Sequence, residues 1–215
     1  HGEQEDASEF LMRLLNAETG SPRLAPLFAG LDIPELACTG ESCGYRRPAA
    51  QEAFNTIVVQ LRGEDGRLCP DVQTAVASYM QPETQEADFR WLCPACGSTA
   101  PPRKEHRVTV TPEVLLVQLC RWRDGTASGA ILDAVHVNER IRFAGSQYRL
   151  SSSIMHMGSR PTSGHYLTCA RHESAGDAWF LYNDTLRRFV RESERESSET
   201  NKSYILFYEH VRAAM

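Results

Sequence analysis

Four of the seven cysteines in this 215-residue chain fall into two short turns, Cys38-Thr-Gly-Glu-Ser-Cys43-Gly and Cys93-Pro-Ala-Cys96-Gly. Each turn presents a pair of thiols, and the glycine after each second cysteine lets the backbone fold its N–H groups toward sulfur. Four thiolates meet the tetrahedral demand of Zn²⁺ at about 2.3 Å per bond. The second pair has a common knuckle spacing, and the first, with four intervening residues, is wider. The competing reading is four small buried hydrophobes. Cys69, Cys120 and Cys169 have no such companions. Cys120 and Cys169 lie in apolar strand patterns and read as inert core residues.

A second constellation is Gly164-His165-Tyr166 at the head of one strand pattern and Trp179-Phe-Leu-Tyr-Asn183-Asp184 at the end of the next. Antiparallel neighbours can set His165 beside Asn183 or Asp184, as a base and the group that orients it. The plain alternative is a structural Gly-His-Tyr turn. His1, His106, His136, His172 and His210 have no comparable setting and read as surface or structural residues.

The elements that must position these groups are legible from periodicity. Ala7, Phe10, Leu11, Leu14 and Leu15 recur at helical spacing with Asp6, Glu9 and Arg13 opposite, which predicts a helix of about four turns closed by Gly20-Ser21-Pro22, with Phe10 and Leu14 toward the core. Residues 30–50 read as loop, Ala53–Leu61 as a strand, and Asp71–Met80 as a helix capped by Asp71. Thereafter the pattern is β: His106–Val110, Val114–Trp122, Tyr148–Met157, Tyr166–Arg171, Trp179–Tyr182, Arg188–Val190 and Ser203–Glu209. Arg191–Asn201 reads as a solvated loop. The class is α+β, helical first and mainly β afterwards.

With 41% hydrophobic residues the chain can bury a substantial core, yet no apolar run approaches the roughly 18–20 residues of a membrane span. A net charge of −5 disfavours nucleic acid and suits a basic peptide or protein partner. An odd, unevenly spaced set of cysteines argues for a reducing compartment, hence an intracellular protein, cytoplasmic or nuclear. Because the sequence opens at His1 already inside an amphipathic pattern, it is expected to continue a longer chain.

Taken in order, these pieces resemble the ubiquitin-specific proteases, a family of papain-like thiol hydrolases. Gln4-Glu-Asp6-Ala-Ser-Glu9-Phe10-Leu is similar to that family's Gln-Gln-Asp-Ala-x-Glu-Phe helix, and the cysteine pairs fall where its zinc-bearing fingers occur. Lys104 with Thr111-Pro112-Glu-Val-Leu-Leu-Val-Gln-Leu-Cys-Arg121-Trp122 resembles its Lys…Leu-Pro-x-Val-Leu-x-x-x-Leu-Lys-Arg-Phe strand, with Cys120 and Trp122 as departures. Tyr148-Arg-Leu…His156-Met-Gly158…Gly164-His165-Tyr166…Trp179…Asn183-Asp184…Tyr204-Ile-Leu-Phe-Tyr208 resembles its His box and C-terminal strand.

The resemblance implies a partial papain-like fold: residues 1–20 as the remaining helix of the thumb, about 36–100 as fingers, and about 104–215 as palm. It implies that His165 is the general base, that Asn183 orients it, and that Asp184 is a second candidate for orienting the site or supporting the oxyanion. Gln4, Asp6, Glu9 and Tyr166 would bind substrate, with Asp6 and Glu9 meeting the arginine-containing tail of ubiquitin. Cys38, Cys43, Cys93 and Cys96 would hold one structural zinc, and Gly158–Gly164 would form a mobile loop over the tail. Partners would be ubiquitin and ubiquitinated proteins, without nucleic acid or membrane. Nothing in residues 1–215 resembles the family's Cys box, so the nucleophile is expected to be missing, and Cys69, near a helix start but followed by Pro70, does not replace it. Three readings follow: part of an active deubiquitinase, an inactive ubiquitin-binding module, or an unrelated zinc-ribbon interaction protein.

Overall fold

A computed structural model describes residues 6–16, 22–63, 65–122, 131–160, 163–199 and 202–212. Helix α1 (Ala7–Leu15) starts at Asp6, whose carboxylate accepts the Ser8 N–H at 2.7 Å. Its buried stripe is Leu11 and Leu15, while Phe10 is 65% exposed and Leu14 also faces outward. This corrects the expected orientation. Leu11 and Leu15 pack with Phe28, Leu116, Tyr204 and Ile205, and Phe10, one residue earlier on the helix, is turned by about 100° from that contact. The helix ends at Leu15, and Gly20 and Ser21 of the expected stop lie outside the described residues. Helix α2 (Ala25–Phe28) is a single turn with proline near its start.

Residues 30–50, expected as loop, hold three strands of three residues each, β1 (Gly30–Asp32), β2 (Glu35–Ala37) and β3 (Arg46–Pro48). The expected strand Ala53–Leu61 is two, β4 (Glu52–Phe54) and β5 (Ile57–Gln60), which belong to different sheets. Strands this short leave little period to read, and β3 is exposed throughout. Helix α3 (Val72–Tyr79) matches expectation. Asp71 accepts the Thr74 N–H at 2.7 Å, and Val72, Ala75 and Val76 are buried.

The remaining strands are β6 (Glu83–Thr84), β7 (Arg103–Glu105), β8 (Val108–Val110), β9 (Val114–Cys120), β10 (Arg140–Phe143), β11 (Ser146–Arg160), β12 (Ser163–His172), β13 (Ala178–Asn183), β14 (Leu186–Val190) and β15 (Ser203–His210). An eight-stranded sheet runs β14-β13-β12-β11-β15-β9-β5 with β10 on β11; its pairs are antiparallel except β5 with β9. Leu115, Val117 and Leu119 of β9 join the core that includes α3, and Leu116 joins the core under α1. Both faces of this strand are covered, so its sequence is an apolar run broken only by Gln118. A four-stranded sheet, β3-β2-β7-β6, carries the cysteine turns, and a three-stranded one, β4-β1-β8, lies between the other two along the chain.

Two expectations near the site change. Gly158 and Gly164, expected to bound a loop, lie within β11 and β12, and Arg160 pairs with Ser163; residues 161–162 are outside the described residues. Arg191–Asn201 is largely a helix, α4 (Glu192–Glu199), whose Arg195 is buried with its guanidinium 4.4 Å from the Trp179 ring centroid and pairs with Glu192. A helix held by one buried cation on an aromatic face has no apolar stripe to announce it.

Candidate active site and cysteine centre

Strands β12 and β13 pair with Thr168 opposite Tyr182, which places Asn183 diagonal to His165 on the same face of the sheet. The side chains meet: His165 Nε2 lies 2.7 Å from Asn183 Oδ1. An amide oxygen can only accept, so Nε2 is the donor in this contact, and in the neutral ring Nδ1 then carries the lone pair. That is the tautomer a general base requires, with the basic nitrogen on the side away from Asn183. The ring is 45% exposed, so its free nitrogen is accessible. Asp184 stands farther off, its Oδ2 3.9 Å from Nε2, on a more exposed side chain. It adopts φ of +51° in the turn between β13 and β14, a conformation Asp tolerates, and this turn fixes Asn183 at the strand end.

Asp6 and Tyr166 come together at the start of α1. The Asp6 carboxylate accepts the Ser8 N–H, the Ser8 hydroxyl at 2.6 Å and the Tyr204 hydroxyl at 3.0 and 3.1 Å from its two oxygens. Tyr204 in turn accepts Gln118 Nε2 at 3.1 Å, and the Ala7 N–H donates to the Tyr166 hydroxyl at 3.4 Å. Burial raises the pKa of both phenols, so each stays protonated. Glu9 is exposed and pairs with Arg13 at 2.6 Å. Gln4 lies outside the described residues. Sequence reasoning missed the Tyr204–Asp6 contact, because 198 residues separate the partners and only the β15 register joins them.

Cys38, Cys43, Cys93 and Cys96 converge, their sulfurs all within 4.8 Å of one another, with Sγ–Sγ distances of 3.7 Å for Cys38–Cys96 and for Cys43–Cys93. Thiolates about 2.3 Å from one tetrahedral ion stand about 3.8 Å apart, so the set fits such an ion. Burial pushes the Cys93 thiol up, but the Cys96 and Ala95 N–H groups with the neighbouring thiols bring it down to about 7. In the second turn Gly97 takes the expected left-handed conformation, φ +72°. In the wider first turn Ser42 takes it instead, φ +57°, and Gly40, rather than Gly44, donates its N–H to Cys38 Sγ at 3.3 Å. The remaining cysteines are elsewhere: Cys69 lies against the Gln60 carbonyl, Cys120 against that of Trp122, and Cys169 is buried between β11 and β13.

The family model for ubiquitin carboxyl-terminal hydrolases matches residues 1–208. A probable ubiquitin carboxyl-terminal hydrolase of Acanthamoeba polyphaga mimivirus is 26% identical over 89% of this chain and 42% of its own length. Ubiquitin carboxyl-terminal hydrolase 25 of Arabidopsis thaliana is 25% identical over 96% of this chain and 33% of its own. The chain therefore spans less than half the length of these relatives. In fold it is similar to the SAGA Ubp8/Sgf11/Sus1/Sgf73 DUB module bound to ubiquitin aldehyde, with a TM-score of 0.79 at 20% identity, covering 99% of this chain and 50% of that one. That likeness supports the partial papain-like fold, and the family match removes the reading as an unrelated zinc-ribbon protein. The chain belongs to the ubiquitin carboxyl-terminal hydrolase family.

Proposed function

We propose that these residues form the base-bearing part of a thiol hydrolase that cleaves the isopeptide bond after the C-terminus of ubiquitin. The observation that carries this is the His165–Asn183 pair, in a tautomer ready to accept a proton, within a chain of this family. His165 Nδ1 takes the proton of a cysteine thiol, and the thiolate adds to the isopeptide carbonyl. The imidazolium then returns that proton to the leaving lysine amine, and water, deprotonated by the same nitrogen, resolves the thioester. The seven cysteines are placed in the cluster, against the Gln60 and Trp122 carbonyls, or in the core. The nucleophile is accordingly assigned to residues outside these 215, which makes the chain alone inactive.

Ubiquitin is bound in this reading by Gln4, Asp6, Glu9 and Tyr166 around the start of α1. Asp184 is a secondary orienting group. The cysteine centre takes zinc as a structural ion that joins its two turns, and an odd, unevenly spaced set of cysteines suits a reducing, intracellular compartment.

The test uses a ubiquitin C-terminal fluorogenic amide. Residues 1–215 bind ubiquitin without turnover, and protein expressed from the complete reading frame turns over and loses on the order of 10²–10⁴-fold on His165→Ala. Activity indifferent to His165 sinks the assignment. Ubiquitin binding with no activity in the complete protein establishes the binding-module reading instead.

A further inference from the structure

His156 lies beneath the strand that carries His165. It faces Tyr166 across the β11–β12 pair, and Met157 faces His165. The residue is 5% exposed, with ring centroids of Trp122 and Tyr166 at 5.1 and 4.9 Å. Neither ring nitrogen has a hydrogen-bond partner among the described residues; the Gly158 backbone comes only near enough to favour the charged form weakly. Burial outweighs that pull and that of Asp6, holding the imidazole below its usual range and therefore neutral at pH 7.

The backbone on either side is fitted to this ring. A Cβ at Gly164 would stand 2.4 Å from His156 Nε2, 2.6 Å from its Cε1 and 2.8 Å from the Met157 carbonyl oxygen. At Gly158 it would stand 2.5 Å from the Ser163 carbonyl oxygen and 2.8 Å from His156 Cε1. Glycine is required at both places by close approach. Burying unbonded polar atoms is destabilising, so stability alone does not explain an imidazole here. A five-membered ring is the aromatic of smallest reach, and Gly164, resting on it, is the residue before His165.

We propose that His156 is a positioning residue for His165: its ring is the floor on which Gly164 rests, and the height of that floor sets the reach of His165 Nε2 to Asn183. This rests on His165 being the general base, as proposed above. The strand pair transmits the height directly, because His165 follows Gly164 and its hydrogen bond of 2.7 Å tolerates little displacement.

The experiment is an NMR pH titration of the His165 ring in residues 1–215 and in the His156→Ala, Gly164→Ala, Asn183→Ala and His156→Ala/Asn183→Ala variants. Loss of the floor should move the His165 midpoint by about 0.5 unit or more toward that of Asn183→Ala. Added to Asn183→Ala, His156→Ala should move it no further. A ring that only packs would lower the melting midpoint alike in both backgrounds and leave the His165 titration in place, and that overturns the proposal. His156→Asn, smaller and still polar, gives the same reading should the alanine variants fail to fold. An unmoved titration in folded His156→Asn overturns it equally. The readout needs neither ubiquitin nor turnover, so its failure leaves the hydrolase reading standing, and failure to bind ubiquitin leaves the coupling standing.

Discussion

The corner of the eight-stranded sheet that holds His165 and the four-stranded sheet that holds the cysteines are built in opposite ways. In the first, a core including Leu115, Leu119, Leu150 and Leu206 is fully buried, and the proposed catalytic pair sits on the edge of something already stable. In the second, the buried apolar residues are Leu36, Trp91 and Cys93, with Cys38, Cys43, Tyr45, Ala49 and Phe89 half-covered beside them. One of the four clustered cysteines, Cys93, is part of that core, and Cys38 and Cys43 pack on it. A core of this size does not hold four short strands by hydrophobic burial alone. In one region the fold supports the proposed site; in the other the proposed zinc site would support the fold.

The largest expected effect comes from removing the proposed zinc. Structural zinc contributes on the order of 10 kcal/mol in small folds of this kind. Chelation, or Cys93→Ser, should therefore release amide protection across β2, β3, β6 and β7 while β11, β12 and β15 stay protected in hydrogen exchange. Zinc stoichiometry should be near one before treatment. Uniform loss of protection, or retention of zinc by Cys93→Ser, would show that the two regions do not differ in this way.

A smaller effect separates scaffold from recognition at α1. Asp6→Ala removes a cap and the Tyr204 contact and should cost about 0.5–2 kcal/mol in denaturant unfolding. Glu9→Ala breaks only an exposed pair and should stay within about 0.5 kcal/mol of the parent. Glu9→Ala should nonetheless weaken ubiquitin binding. Equal stability losses would remove the special structural part of Asp6, and unchanged binding would remove Glu9 from the ubiquitin contacts.

The smallest effect is the acid response of the large sheet. Burial depresses His156, so the unfolded chain takes up its proton first as pH falls. The contribution is present above the ordinary histidine value of about 6.5 and is lost as pH falls from there toward the folded value. Between pH 7 and 5 the denaturation midpoint of His156→Asn should fall less steeply than that of the parent. Parallel slopes would mean that the imidazole is not held neutral.

Legibility in the sequence followed the strength of the local pattern. Asp71 and the Val72–Val76 stripe announced α3, and Val114–Cys120 announced a strand, because propensity and burial agree there. The cysteine quartet was readable because metal chemistry fixes residue type and approximate spacing together. His165 with Asn183 was readable only as an order of motifs, since their meeting depends on the register of β12 and β13. Phe10 misled, because two apolar stripes share α1 and only packing against Leu116 and Ile205 selects the one containing Leu11. Helix α4 was hidden by its polarity. The role of His156 needed the coordinates, because an unbonded nitrogen under a glycine leaves no trace in residue order.

The route of the chain between the two larger sheets has a mechanical consequence. It passes outward through β1, returns through β4, goes out again ahead of β6 and returns through β8. Three of these four passages are hydrogen-bonded to one another as β4-β1-β8. Antiparallel hydrogen bonds lie across the strand direction. Tension between the sheets is therefore shared by three covalently continuous strands, which these bonds hold in register.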